Sequence, residues 1–252
     1  MNKTQLKAFL ETHVSIINTA EFIAKDPISI PKRFTKLQDI EITAFWTSML
    51  SWGQRVTIIN KCNELFELMD NAPFDFIKNH KEKDRKRFED FKHRTFQYTD
   101  TLFFLEFLNW YYNSYDSLED AFLNGENAES RLTNFNKMFF SLENAPRRTQ
   151  KHIASPAKNS TCKRLNMFLR WMVRSDDSNV DFGLWKKFSS AELMIPLDVH
   201  VERVARKLKL LKRKQRDWKA VVELTDNLKK FDAKDPIKYD YALFGLGVKG
   251  EF

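Results

Sequence analysis

Two residues of this chain have types and positions that suit amine chemistry. Lys163 lies in the first turn of a helix that we predict to begin near Ser160, and Asp198 directly precedes an apolar helical face over residues 199–210. The positive end of a helix dipole disfavours an ammonium group, and the free N–H groups there bind phosphate. Lys163 is therefore a candidate amine nucleophile beside a phosphate. The ordinary alternative is a surface lysine and an aspartate that only caps its helix.

These two residues depend on helices that the apolar spacing predicts. Apolar side chains recur at helical intervals in five segments, residues 42–50, 58–69, 165–173, 199–210 and 218–228. Residues 101–112 are apolar nearly all round, which indicates a buried helix. Asp217 and the pair Asp235–Pro236 are predicted helix starts. Residues 175–195 have no such period, which predicts a long connection between two helices.

The composition favours an all-α globular protein. The chain has 252 residues, of which 42% are hydrophobic and 30% charged, which is typical of a folded core rather than of disorder. A chain of this length buries enough surface to need no disulfide. It contains only 6 glycines and 7 prolines, whereas all-β proteins use many turn residues.

The charge and the cysteine count narrow the class of partner. A net charge of +8 favours a polyanion, with nucleic acid ahead of an acidic membrane face or an acidic protein, although the protein could also simply be basic. Two cysteines cannot supply the four thiolates of an all-cysteine zinc or iron–sulfur site, and the five histidines have no ligand spacing. No nucleotide-binding, zinc-protease or serine-hydrolase motif occurs. We therefore expect neither a metal nor a cofactor.

The same reasoning predicts a compartment. The first residues, MNKTQLKAFLETH, are mixed and charged, and no apolar run reaches the ~20 residues that span a bilayer. Free cysteines are typical of reducing compartments. We therefore expect a cytoplasmic protein that binds no membrane.

Three separated segments resemble the helix-hairpin-helix DNA glycosylases, the superfamily of endonuclease III and 8-oxoguanine glycosylase. Residues 195–208, IPLDVHVERVARKL, resemble the segment with the catalytic aspartate of that group. Residues 162–169, CKRLNMFL, resemble the helix after the hairpin, with Lys163 at the nucleophile position. Residues 42–66 resemble the early helical segment around a Ser-x-Gln run. The runs KRLNMFLRWMVR and PLD-x-HV are most similar to a bacterial family of unknown function, domain of unknown function 2400.

The chain departs from the glycosylase pattern in the hairpin. The stretch SPAKNSTC, residues 155–162, stands where these enzymes have Leu-Pro-Gly-Val-Gly, so it is longer and has no glycine. Glycine lets a backbone approach a phosphate closely. The resemblance implies that the DNA backbone would instead contact four polar residues of this stretch, namely Ser155, Lys158, Asn159 and Ser160.

The resemblance implies an all-α, two-lobed glycosylase architecture with a variant helix-hairpin-helix. One lobe would hold approximately residues 38–150, and the other would hold residues 1–37 with residues 151–252. It implies base-excision repair by a DNA glycosylase with AP-lyase activity. Lys163 would form a Schiff base at the sugar C1′ after an oxidised purine such as 8-oxoguanine is flipped out, assisted by Asp198. The partner would be duplex DNA with a damaged base, bound by a monomer at the bacterial nucleoid, and the sequence does not separate DNA from RNA.

The base pocket is predicted from the same resemblance. The late helix has Asp240 and Phe244 on one face, where the acid would accept purine N–H groups and the ring would stack on the base. The alternative is a surface Asp240 and a core Phe244. Gln54 would line the pocket or fill the gap left in the duplex. Since the hairpin lacks glycine, a non-catalytic nucleic-acid-binding module is the second hypothesis, and an adaptor for a protein partner is a third.

Overall fold

The computed structural model of the chain describes residues 1–250, and no β-strand occurs among them. The α-helices are, in chain order, α1 Lys3–Ile17, α2 Ala20–Ala24, α3 Leu37–Leu50, α4 Arg55–Glu67, α5 Pro73–Asn79, α6 Tyr98–Ser114, α7 Ala128–Phe139, α8 Lys163–Val173, α9 Val199–Lys207, α10 Trp218–Lys229 and α11 Tyr239–Lys249. Short 3-10 turns lie between several of them. The all-α prediction is confirmed. No helix in residues 1–250 is long and apolar enough to cross a bilayer.

The chain forms two compact units. The central unit comprises residues 25–126 and 130–154, and the terminal unit comprises residues 1–24, 127–129 and the chain from Ser155 onward. Residues 25–37 thus pack in the central unit, whereas the sequence analysis grouped them with the N-terminal segment. Lys163, Asp198 and Asp240 all belong to the terminal unit.

The core of the central unit is made largely of aromatic rings. Phe139 of α7 lies against Phe104 and Phe107 of α6, with ring centroids 4.9 and 4.4 Å apart. Phe122 and Phe135 stack at 4.0 Å. Such pairs add about 0.5–1.5 kcal/mol each beyond the burial of their area. The helix predicted over residues 101–112 is present as α6 and is buried on most of its surface.

In the terminal unit, α11 packs against both α1 and α9. Two glycines of α11 make these approaches close. A Cβ atom added at Gly245 would lie 2.6 Å from Ile17 of α1, and one added at Gly247 would lie 2.8 Å from the Cβ of His200 in α9. Because neither glycine has a side chain, α11 can lie directly against the end of α1 at Gly245 and against the first turn of α9 at Gly247.

Several predicted helix boundaries need adjustment. The helix expected to begin near Ser160 begins at Lys163, because Cys162 has a left-handed backbone with φ of 50°. Asp235 precedes a 3-10 turn, Pro236–Lys238, so α11 begins only at Tyr239. The cap at Asp217 is confirmed, since its side chain accepts the N–H of Ala220.

Candidate active site around Lys163

Lys163 is the first residue of α8 and is half-buried. The chain reaches it through a 3-10 turn over Pro156–Lys158 and then two left-handed residues, Asn159 with φ of 55° and Cys162 with φ of 50°. Asparagine adopts this conformation more readily than most residues, whereas cysteine is strained in it. The strained residue directly precedes the candidate nucleophile, which fixes where α8 begins.

The polar residues of this turn are not equivalent. Lys158 and Asn159 are exposed, so their side chains can meet a phosphate. Ser155 is buried, at 3% exposure, and lies at the start of the turn. Lys158 and Asn159 therefore remain the better candidates for contacting a nucleic-acid backbone.

The second half of the turn is fastened to α8 by side-chain hydrogen bonds. The Cys162 N–H donates to Oγ of the half-buried Ser160 at 3.3 Å. Asn166, one turn into α8, donates from Nδ2 to the Thr161 carbonyl at 3.1 Å. Asn166 is 1% exposed, and its Oδ1 has no hydrogen-bond partner among the described residues. Asn166 therefore supports the turn that precedes Lys163.

Asp198 caps α9. Its Oδ1 accepts the backbone N–H groups of His200 at 2.9 Å and of Val201 at 3.0 Å. The side chain is half-buried. The sequence prediction of a helix-capping aspartate at this position is therefore confirmed, and the cap places a carboxylate at the start of α9.

Asp240 is the second residue of α11, and it is buried, at 5% exposure. One carboxylate oxygen, Oδ2, pairs with the Arg170 guanidinium of α8. The other, Oδ1, has no hydrogen-bond partner among the described residues. Since a buried polar atom is normally paired, the free oxygen calls for an explanation.

Lys163, Asp198 and Asp240 interact electrostatically. Burial raises the pKa of the Asp240 carboxyl to about 6 against the opposing effect of Arg170, while Asp198 adds to the rise and Lys163 reduces it. Asp240 therefore feels the charges of both Lys163 and Asp198, although the three residues come from separated segments of the chain. The cluster of Lys163, Asp198 and Asp240 is called the Lys163 site below.

Behind the Lys163 site lies a buried chain of ion pairs that the sequence analysis missed. The Nε of Arg170 lies 3.2 Å from Asp181, which also pairs with Arg174 at 3.0 Å, and Arg174 pairs in turn with Asp235 at 3.0 Å. The sequence contains a pattern that could have indicated these buried ion pairs. Lys163, Asn166, Arg170 and Arg174 follow one face of α8 at helical spacing.

Phe244 lies one turn after Asp240 on the same face of α11. It is half-buried, and its ring lies 6.1 Å from that of His200. The arrangement is the reverse of a surface Asp240 and a core Phe244, because the acid is the buried member of the pair. An aromatic face next to a buried carboxylate can stack on a planar ligand and accept a hydrogen bond from it.

Gln54 belongs to the central unit. It is exposed and lies at the N-cap position of α4, where its side chain makes no capping hydrogen bond. The preceding Trp52 is held by His93, whose Nε2 lies 3.1 Å from the Trp52 carbonyl, and Gly53 has φ of 103°. Gln54 therefore follows directly after a turn, residues 52–53, whose backbone is held by His93.

Metal ligands are not grouped within residues 1–250, where no cluster of three histidine, cysteine or acidic side chains suits a metal ion. Cys62 and Cys162 are both buried and form no disulfide. Burial raises the pKa of each thiol to about 12, so neither is a thiolate at neutral pH.

Comparison with known sequences assigns a family. The profile of the family described as "Protein of unknown function (DUF2400)" matches residues 26–249. The chain belongs to the DUF2400 family. No curated protein and no solved structure matches it. The match spans both units and includes every residue of the Lys163 site, while the description of the DUF2400 family assigns no activity.

Proposed function

We propose that this DUF2400 protein is a base-excision enzyme, a DNA glycosylase with AP-lyase activity that acts on an oxidised purine such as 8-oxoguanine. One observation supports it above the others. A lysine at the first residue of one helix and a capping aspartate at the start of another act on the same buried carboxyl group. These two residues are the pair that the resemblance to helix-hairpin-helix glycosylases singles out.

The proposed reaction uses the lysine as an amine nucleophile. The Lys163 Nζ attacks the sugar C1′ of a flipped nucleotide, and the bond from C1′ to the base breaks with its electron pair leaving on the base. The base takes up the proton that the attacking nitrogen loses. The C1′–O4′ bond of the sugar then breaks, O4′ takes up a second proton, and the opened sugar remains joined to Lys163 as a protonated Schiff base. β-Elimination then cleaves the strand on the 3′ side, and hydrolysis releases the lysine.

Asp198 suits the role of charge stabiliser in this reaction. A cationic sugar develops as the base leaves, and a fixed carboxylate nearby lowers the energy of that charge. The two N–H bonds to its Oδ1 hold the side chain in place. Such preorganisation avoids reorienting a flexible group during the reaction.

The partner that fits best is duplex DNA. The net charge of +8 favours a polyanion, and the exposed Lys158 and Asn159 lie on the turn that leads to Lys163. The buried Asp240 and the half-buried Phe244 would accept the flipped base, with Gln54 as a further candidate for the gap in the duplex. A DNA substrate makes the nucleoid the expected place of action.

Borohydride trapping tests this proposal. Wild type and Lys163→Gln are incubated with duplexes that contain 8-oxoguanine, an abasic site or only normal bases. The Lys219→Gln variant removes an equal charge from an exposed position of the same unit and serves as the control. We expect an adduct with wild type and the control that Lys163→Gln lacks. Equal trapping by Lys163→Gln would contradict the assignment of the nucleophile.

A binding module without catalysis is the second candidate function, and the turn before α8 favours it. Residues 155–162 contain no glycine, and the left-handed positions are occupied by Asn159 and Cys162, whose side chains keep a phosphate farther from the backbone. This candidate predicts DNA or RNA binding that weakens steeply with salt and gives no product. A fluorescence-anisotropy titration at two salt concentrations, run beside the trapping assay, separates the two functions.

A further inference from the structure

One carboxyl oxygen of Asp240 has no hydrogen-bond partner among residues 1–250, and a purely structural role does not explain this. Its Oδ2 forms an ion pair with Arg170, whereas its Oδ1 is buried and has no hydrogen-bond partner among residues 1–250. A buried acceptor left in this state costs stability, so it is usually retained for a ligand or for a proton. Lys163 is a candidate donor, because its charge acts on Asp240 and it lies on the same face of α8 as Arg170, which pairs with Asp240.

Asp198 is less suited to receive a proton. Its Oδ1 already accepts two backbone N–H groups, which makes the carboxylate part of the start of α9. Asp240 differs in each respect. It lies deeper, at 5% exposure, and its carboxyl changes charge near neutral pH, since burial raises its pKa to about 6. A group with a pKa near the working pH is the most effective proton acceptor.

We propose that Asp240 accepts the proton of the Lys163 ammonium through Oδ1, and that Asp198 serves only as the charge partner. This assignment rests on the proposed function and adds a catalytic residue to it. It departs from the resemblance, which implied that Asp198 assists Lys163 and that Asp240 recognises the base.

The proton is conserved through the step. The bond from Nζ to hydrogen breaks, the proton passes to Oδ1, and the nitrogen lone pair attacks C1′ of an abasic sugar in its aldehyde form. The π bond of the aldehyde breaks toward its oxygen, which takes a second proton from the attacking nitrogen to give the carbinolamine. The protonated Asp240 then returns the proton to the C1′ hydroxyl of the carbinolamine, which leaves as water. The products are the iminium and the Asp240 carboxylate, so no oxidant or reductant is needed until borohydride is added to trap the adduct.

The choice of variants at Asp240 depends on the charged groups around it, because a substitution can leave one of them without a partner. α8 contributes Lys163 and Arg170, and the start of α9 contributes Asp198. On the α1 side, Glu11 is engaged by Lys238 and by the Tyr239 hydroxyl. Asp240→Asn keeps the shape of the side chain, and Arg170 retains Asp181 as a partner. Asp226→Asn, at an exposed position of α10, is the matched control.

The first arm of the test needs no DNA. The protein is treated with formaldehyde and cyanoborohydride between about pH 5 and pH 10, and methylation at Lys163 is followed by peptide mass spectrometry. In free protein the amine equilibrates with water, so Asp240→Asn, which removes a nearby anion, should move the midpoint of Lys163 labelling to lower pH by about one unit. Asp226→Asn should leave the midpoint unchanged. An unchanged midpoint in Asp240→Asn would overturn the proposal.

The second arm uses an abasic duplex, which has no base for a pocket to recognise. Bound DNA excludes water, so an internal acceptor is then required. We expect wild-type trapping to slow below about pH 6 as Asp240 becomes protonated, and Asp240→Asn to trap about 100-fold more slowly without that acidic fall. Wild-type trapping rates in Asp240→Asn would leave Asp240 a base contact only and would overturn the acceptor role.

A second variant guards against a folding defect. Asp240→Ala opens a space in which formate, a small carboxylate, should restore trapping, whereas a misfolded protein would not respond. If wild type traps no DNA at all, the proposed function fails, and the midpoint of Lys163 labelling in the first arm still decides whether Asp240 governs the Lys163 proton.

Discussion

Each unit buries a carboxylate in its helical core, and the two differ in how many donors surround them. Glu41 of α3, in the central unit, is fully buried and accepts hydrogen bonds from Tyr112, from Ser117 and from the N–H of Leu118. Asp240 of α11, in the terminal unit, has Arg170 on one oxygen, and the other oxygen has no hydrogen-bond partner in residues 1–250. Glu41 therefore ties helices and turns together, while Asp240 keeps an oxygen available.

The difference indicates which buried charge serves the fold and which serves chemistry. A buried carboxylate whose acceptors are all used is stable but cannot take part in a reaction without breaking its bonds. A carboxylate with a free oxygen weakens the fold and is typical of a functional site. Substitutions at both kinds of carboxylate, and at matched positions elsewhere in the chain, test this difference.

The largest effect on stability is expected in the central unit. Glu41→Ala removes the common acceptor of three buried donors and leaves a cavity, so it should lower the free energy of unfolding by about 3–5 kcal/mol. Urea denaturation of the full chain measures this. A loss below about 1 kcal/mol would show that the Glu41 hydrogen bonds do not hold α3, and the comparison would fail.

The next effect separates charge from capping at Asp198. Asparagine also caps helices well, so Asp198→Asn should keep the stability while lowering trapping about 100-fold, because only the charge is lost. Asp198→Ala should in addition lose about 1 kcal/mol of stability. The matched variant is Asp217→Ala, which removes the cap of α10 and its pair with Arg213 but should leave trapping intact. Equal loss of activity in Asp217→Ala would mean that trapping merely reports stability.

Asp240 should impose a pH dependence on stability. Its pKa is raised in the folded state, so its contribution favours folding at low pH and is lost as pH rises toward about 6. The Asp240→Asn variant does not lose stability in this way, because asparagine does not ionise. Relative to wild type, its free energy of unfolding should therefore improve by about 2 kcal/mol between pH 4.5 and pH 7.5. A constant difference between the two proteins across this range would mean that Asp240 titrates normally.

The smallest effects concern left-handed asparagines in each unit. Asn159 lies in the turn before Lys163 and Asn71 follows α4, with φ of 55° and 52°. Replacing either by glycine, which tolerates this conformation, should change stability by only a few tenths of a kcal/mol. Only Asn159→Gly should alter the affinity for DNA, measured by fluorescence anisotropy. Matching DNA affinities in both variants would exclude the turn from the DNA contact.

The sequence predicted the helices and the cap better than the charges behind them. The nearly continuous apolar run over residues 101–112 located α6, and the aspartate before an apolar face located the cap of α9, because both signals are local. The ion pair between Arg170 and Asp240 was not predicted, since these residues are far apart in the chain and only the packing of α11 joins them. The start of α8 was misplaced because a left-handed backbone at Cys162 has no sequence signature.

Peptide mapping of the borohydride-reduced adduct tests the central claim most directly. Wild-type protein is trapped on an abasic duplex, digested, and the mass of the sugar remnant is located by fragmentation. We expect the remnant on Lys163 and on no other residue. A remnant on another lysine or on the N-terminal amine would contradict it, because the nucleophile would then lie outside the Lys163 site.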